Sequence, residues 1–170
     1  MKNEVFRVVL ADPNSRFVRT FAELIKGASP AVQVSECLDL DCALLAFSEK
    51  PTVDYFMLDI SLLGENWKDR LSQIIEKVTP TQVLLTSEKQ IPQKILQALK
   101  LGIRGYIIKT TPSQTIKSAL NLIFSGEIYV PTDVFEENEI SDTSLYCLPN
   151  GKKLTPRQIE VLQKLGKWLK

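Results

Sequence analysis

Four side chains in this sequence combine into one chemistry: the carboxylates of Asp12 and Asp59, the hydroxyl of Thr86 and the ammonium of Lys109. Each closes a short apolar run or stands within two residues of its end: VFRVVL, VDYFML, QVLLT or GYII. Taken singly, an aspartate after a strand is ordinarily a turn former or helix cap, a threonine is strand filler and a lysine is solvated. Gathered at successive strand ends of one parallel sheet, they supply the parts for phosphoryl transfer to a carboxylate. That reaction needs a nucleophilic oxygen, a divalent cation to offset phosphoryl charge, and donors around the equatorial oxygens. A hard cation such as Mg²⁺ takes oxygen ligands in an octahedron. Carboxylates and a backbone carbonyl near Asp59 suit it, with water filling the remaining positions.

The elements that must position these groups are legible as an alternation. From residue 5 to residue 125, short β-branched apolar runs alternate with longer segments of helical period, the pattern of a parallel sheet covered on both faces. Strands are predicted at Val5 to Leu10, Val32 to Cys37, Val53 to Leu58, Gln82 to Thr86 and Gly105 to Ile108. Helical stripes run through Phe17, Phe21, Leu24 and Ile25; Leu40, Ala43, Leu44 and Phe47; and Trp67, Leu71, Ile74, Ile75 and Val78. Two more follow at Ile91, Ile95, Ala98 and Leu99, and at Ile116, Ala119, Leu120, Ile123 and Phe124 after a Thr111-Pro112 start signal. Five strand-helix units with right-handed crossovers make an α/β fold, a doubly wound five-stranded parallel sheet of flavodoxin-like type. In such a sheet ligands sit at the carboxyl ends of the strands, where the four residues fall.

Composition narrows the chemistry further. The chain of 170 residues carries 21 Lys and Arg against 20 Asp and Glu, an ordinary balance that does not announce nucleic acid. It has no histidine, which rules out Ser-His-Asp and Cys-His catalysis, a His-rich metal site and a phosphohistidine role. Cys37, Cys42 and Cys147 are odd in number and contain no CxxC pair, arguing against a disulfide framework or a zinc site and for reduced, partly buried thiols. No apolar run approaches the roughly 18 residues that span a bilayer, and the start reads straight into a strand. A cytoplasmic protein without membrane association is expected. PNSRF after the first strand has one hydroxyl and no glycine, and so lacks a phosphate loop; an enzyme of flavodoxin-like fold with bound flavin is disfavoured.

The segments VVLADPN, DYFMLDISLLG, VLLTSE and GYIIKTTP, in this order, resemble the marker segments of response-regulator receiver domains, over residues 5 to 130. The Asp-Ile-Ser run, Gly-Tyr before Ile-Ile-Lys, and GEIYVP are most similar to the NarL/LuxR type, and LTPRQIEVLQKL resembles the opening of its helix-turn-helix domain. The resemblance implies a two-component signalling switch rather than an enzyme, with at most slow self-phosphorylation and self-dephosphorylation. It implies Asp59 as phosphoacceptor, Mg²⁺ held by Asp12, Asp59 and the Ser61 backbone carbonyl, and Lys109 paired with phosphoryl oxygens. Thr86 would move toward the phosphate while Tyr106 swings into the vacated space, a bistable element biased by charge. Ser61 and Glu88 stand at positions that tune hydrolysis of the phosphoaspartate. The implied partners are a sensor histidine kinase, DNA through a complete output domain, and a second copy of the chain.

Two departures stand out. The family has two adjacent acids after the first strand, whereas this chain has Asp12-Pro13; keeping Phe21, Leu24 and Ile25 in register makes Asp12 the first acid. The second, a direct metal ligand, is then a proline, which should lower cation affinity. Leu63 also replaces the proline usual before the glycine of the loop after Asp59. A phosphorylation-independent pseudo-receiver, acting as a dimerisation or partner-binding module, is the alternative reading. The predicted organisation is a receiver domain at 1–130, a linker at 131–153, and at 154–170 the first helix of an incomplete LuxR-type helix-turn-helix domain. That helix starts at Thr155 and Pro156 and carries a basic tail.

Overall fold

A computed structural model describes residues 5–131, apart from 30 and 49–51. Cys147, nearly all of the predicted linker and the helix predicted at 154–170 lie outside the described residues. The strands are β1 (Phe6–Ala11), β2 (Val32–Cys37), β3 (Tyr55–Asp59), β4 (Gln82–Ser87) and β5 (Gly105–Ile108). The helices are α1 (Ser15–Ala28), α2 (Leu40–Ala46), α3 (Trp67–Val78), α4 (Pro92–Leu101) and α5 (Ser113–Phe124). All strand pairs are parallel, in the order β2-β1-β3-β4-β5, so after β2, at one edge, the chain passes back over β1 to β3 and the winding direction reverses. That reversal lies between β1 and β3, where a doubly wound sheet opens a crevice at its carboxyl edge.

Strand alternation sorts the core into two layers. Phe56, Leu58, Leu85 and Tyr106 face one side with Ala43 of α2, Leu71 and Ile74 of α3 and Ile95 of α4. Val8, Leu10, Met57, Leu84 and Ile107 face the other, against Phe21 and Ile25 of α1 and Ile116, Leu120 and Ile123 of α5. Because β3 lies between β1 and β4 with both faces covered, all five of its residues are buried, Asp59 included. Gly105 lets α5 and β4 approach β5 closely: a Cβ there would lie 3.0 Å from Ile123 Cδ1 and from Leu84 Cδ2, so those side chains would have to give way.

The element bounds differ from the expected ones at three strands and two helices, Phe47 of the second stripe standing as the cap just after α2. β1 starts at Phe6, leaving Val5 exposed, and runs on to Ala11. β3 starts at Tyr55 because Asp54 is spent as a clamp: its side chain accepts the Arg7 N–H at 2.8 Å and its own N–H donates to Arg7 O at 2.9 Å. β4 runs one residue further, through Ser87. Ile91, assigned to a helical stripe, stands just before α4, since Pro92 sets the first helical position. A short 3-10 helix at Ile60–Leu63, directly after Asp59, had no sequence signal.

Candidate functional site

The carboxyl ends of β1, β3 and β5 deliver Asp12, Asp59 and Lys109 to one point. Lys109 Nζ lies 2.6 Å from Asp12 Oδ2 and 2.6 Å from Asp59 Oδ2, with all three side chains at least nine-tenths buried. Burial works against the ammonium, yet the two carboxylates outweigh it and hold the Lys109 pKa above its ordinary value. Two carboxylates against one ammonium leave the cluster with a formal charge of −1 when all three are ionised. The Phe17 ring of α1 adds a cation–π contact 4.7 Å from Nζ.

The remaining oxygens are fixed by local turns. Asp12 Oδ1 accepts the Asn14 N–H at 2.8 Å, and Asn14 in turn caps α1 by accepting the N–H groups of Arg16 and Phe17. Asp59 Oδ1 accepts two donors from Ser61, its N–H at 2.8 Å and its hydroxyl. The Ser61 carbonyl accepts the Gly64 N–H at 3.2 Å, closing the 3-10 turn, and keeps a second lone pair. Over this floor opens a cleft of about 580 Å³, with Pro13, Trp67, Ser87 and Glu88 among its walls.

The structure therefore brings Asp12, Asp59, Ser61, Glu88 and Lys109 together, while Thr86 and Tyr106 stand apart from the cleft. Thr86 pairs with Asp59 in register across β3 and β4 and is wholly buried; Ser87 and Glu88 line the wall instead. Tyr106 already lies inside the core, fully buried, so the inward swing implied by the resemblance is not available to this conformation. Burial, first, and the charge of Asp59 raise its phenol pKa, against a hydrogen bond with Ser87 that lowers it. Sequence reasoning missed Ser87 and the ring of Phe17. Ser87 follows Thr86 directly and could have been read as the next hydroxyl along. Phe17 carried no signal beyond its place in a core stripe.

The donors present fit a divalent oxygen-liganded cation with a reduced set. Asp12, Asp59 and Ser61 line the cleft, while beside Asp12 the exposed Pro13 offers no side-chain oxygen. Among the described residues no group of three or more acids, cysteines or histidines is placed to hold a metal. No helix of the described residues is long and apolar enough to cross a membrane.

The chain is similar along nearly its whole length to two curated regulators. It is 25% identical to the glycerol metabolism activator of Pseudomonas putida over 169 residues, 96% of this chain and 76% of that protein. It is 24% identical to the oxygen regulatory protein NreC of Staphylococcus aureus over 170 residues, 95% of this chain and 77% of that one. Among solved structures, a LuxR family DNA-binding response regulator from Silicibacter pomeroyi superposes with a TM-score of 0.62 at 28% identity, covering 74% of this chain and 97% of the other. No family profile matches the chain.

Proposed function

Because the chain is a relative of LuxR/NarL-type response regulators, we propose that it is a receiver that accepts a phosphoryl group on Asp59 and thereby controls a DNA-binding output domain. The observation that carries this reading is the convergence of Asp12 and Asp59 on Lys109 beneath an open cleft.

Asp59 is the nucleophile. Both inward lone pairs of Oδ1 are engaged by Ser61, while Oδ2 has one partner, Lys109. Attack from Oδ1 therefore requires release of the Ser61 hydroxyl, and attack from Oδ2 requires Lys109 to turn toward the incoming phosphoryl oxygens. Lys109 neutralises charge on the transferred group and Asp12 restrains the ammonium. A Mg²⁺ ion, when bound by Asp12, Asp59 and the Ser61 carbonyl, would offset further phosphoryl charge. Ser61 and Glu88, at the cleft wall, are assigned the tuning of water access to the acyl phosphate. Thr86 and Tyr106 are assigned the switch, with Tyr106 inward as the conformation compatible with phosphorylation. The phosphodonor is a sensor histidine kinase, the active form a homodimer, and the compartment the cytoplasm.

The test is incubation with acetyl phosphate and Mg²⁺ followed by intact-mass measurement. Wild type should gain one phosphoryl group and Asp59→Asn none. A wild type that gains no mass while it binds beryllofluoride would overturn the reading. Pro13 favours one alternative, a pseudo-receiver that acts without phosphoryl transfer. It predicts no beryllofluoride binding and an Asp59→Asn protein of unchanged oligomeric state and output.

A further inference from the structure

We propose that Cys37 and Cys42 form a redox-modification site, closing to a disulfide on reaction with hydrogen peroxide. The sequence, with its odd and scattered cysteines, gave no reason to pair them. The fold does so: Cys37 ends β2, and the chain turns through Leu38 and Asp39 into α2, whose first turn carries Cys42. Their sulfurs stand 2.8 Å apart, both thiols free. A disulfide bond is about 2.05 Å long. Closing the pair thus asks for a shift of under an ångström between sulfurs that already face each other.

Accessibility orders the chemistry. Cys42 is exposed and meets the oxidant, while Cys37 is buried and waits behind it. The Cys42 thiolate attacks one peroxide oxygen, the O–O bond breaks, and the other oxygen leaves as hydroxide, which takes up a proton to become water. Cys42 is then a sulfenic acid. The Cys37 sulfur attacks the Cys42 sulfur, the S–O bond breaks, and the departing oxygen takes the Cys37 proton to leave as a second water. Two electrons pass from the thiol pair to the peroxide. Asp39 holds the geometry by accepting the Cys42 N–H at 2.7 Å.

The location gives the modification a route to the cleft. The Cys37 carbonyl accepts the Asp12 N–H at 3.1 Å, and Cys37 sits in register with Ala11, the residue before Asp12. A bridge to α2 therefore fastens the strand end that seats Asp12.

The experiment uses the full chain carrying Cys147→Ser, so that only these two thiols remain. It is treated with a small excess of hydrogen peroxide, blocked with iodoacetamide, digested with trypsin and analysed by mass spectrometry. Both cysteines fall in one tryptic peptide that begins at Gly27. The expected product is that peptide lighter by two hydrogens and unalkylated, regaining two alkylation sites after dithiothreitol. In Cys37→Ser, Cys42 should stop as a sulfenic acid that dimedone traps. Two alkylated thiols at peroxide levels that oxidise free cysteine, or Cys42 recovered only as sulfinic acid or in a covalent dimer, would overturn the proposal. The readout is independent of whether Asp59 accepts a phosphoryl group.

Discussion

The ammonium of Lys109 rests over the ring of Phe17, 4.7 Å from its centroid, so a cation shared by two carboxylates is also steadied by an aromatic face from α1. Phe17 itself stacks on Phe21, which is buried in the layer beneath α1. The position of the ammonium between the two carboxylates is thus tied to the packing of the first helix.

Phe17→Leu keeps the apolar packing and removes the quadrupole. It should cost about 0.5–2 kcal/mol of stability. A double-mutant cycle with Lys109→Met, followed by urea unfolding, isolates the coupling. A coupling energy near zero would show that the ring contributes only packing.

Lys109→Ala leaves Asp12 and Asp59 buried without their shared cation, which should cost about 3 kcal/mol in the same measurement. The pKa of Lys109 is raised in the folded chain. Its contribution is therefore fully present below the unfolded lysine value of about 10.4 and is lost as pH rises through the higher folded value. The stability gap between wild type and Lys109→Ala should accordingly stay constant from neutrality to about pH 10 and narrow above it. A gap that closes between pH 7 and 9 would contradict the assignment.

Pro13→Asp places a carboxylate on the cleft wall and should raise Mg²⁺ affinity at least about tenfold, since ligand charge is a main determinant of cation binding. Trp67, buried and lining the cleft, supplies the signal. In a chain carrying Trp168→Phe, Mg²⁺ titration of its fluorescence gives both affinities. Equal affinities would mean that Pro13 does not occupy a ligand position.

Ser61→Ala removes the hydroxyl that occupies Asp59 Oδ1 and leaves the backbone N–H in place. A hydrogen bond to a charged group is worth about 1.5–3 kcal/mol, less at an exposed residue such as Ser61. The rate of phosphoryl gain from acetyl phosphate should rise several-fold. An unchanged or slower rate would mean that the hydroxyl is not lost on the way to attack.

Much of this arrangement was legible because it follows from periodicity. The bounds of β2 and β5 were read directly, as β-branched runs with polar punctuation, and all five strand-helix units were found in order. The meeting of Asp12, Asp59 and Lys109 followed from topology, since parallel strands end at one edge. What escaped depends on distances that no pattern encodes. Residues five apart across a strand-to-helix turn meet or miss according to the turn's geometry, and Cys37 and Cys42 meet. Thr86 occupies the expected strand end, but burial turns it into the sheet beside Asp59 and leaves Ser87 to the cleft. The Asp54 clamp was hidden because an acid inside an apolar run reads equally well as strand.

Beyond α5 the backbone comes back to the sheet: Tyr129 bridges to Gly105, its carbonyl accepts the Tyr106 N–H at 2.9 Å, and its N–H donates to Arg104 O at 3.3 Å. An outermost strand ordinarily offers unsatisfied amides to any passing chain. Here the departing polypeptide occupies part of that rim itself. Any displacement of the backbone at Tyr106 must therefore pull on the stretch that leads away toward residue 131, with no side chain needed as a go-between.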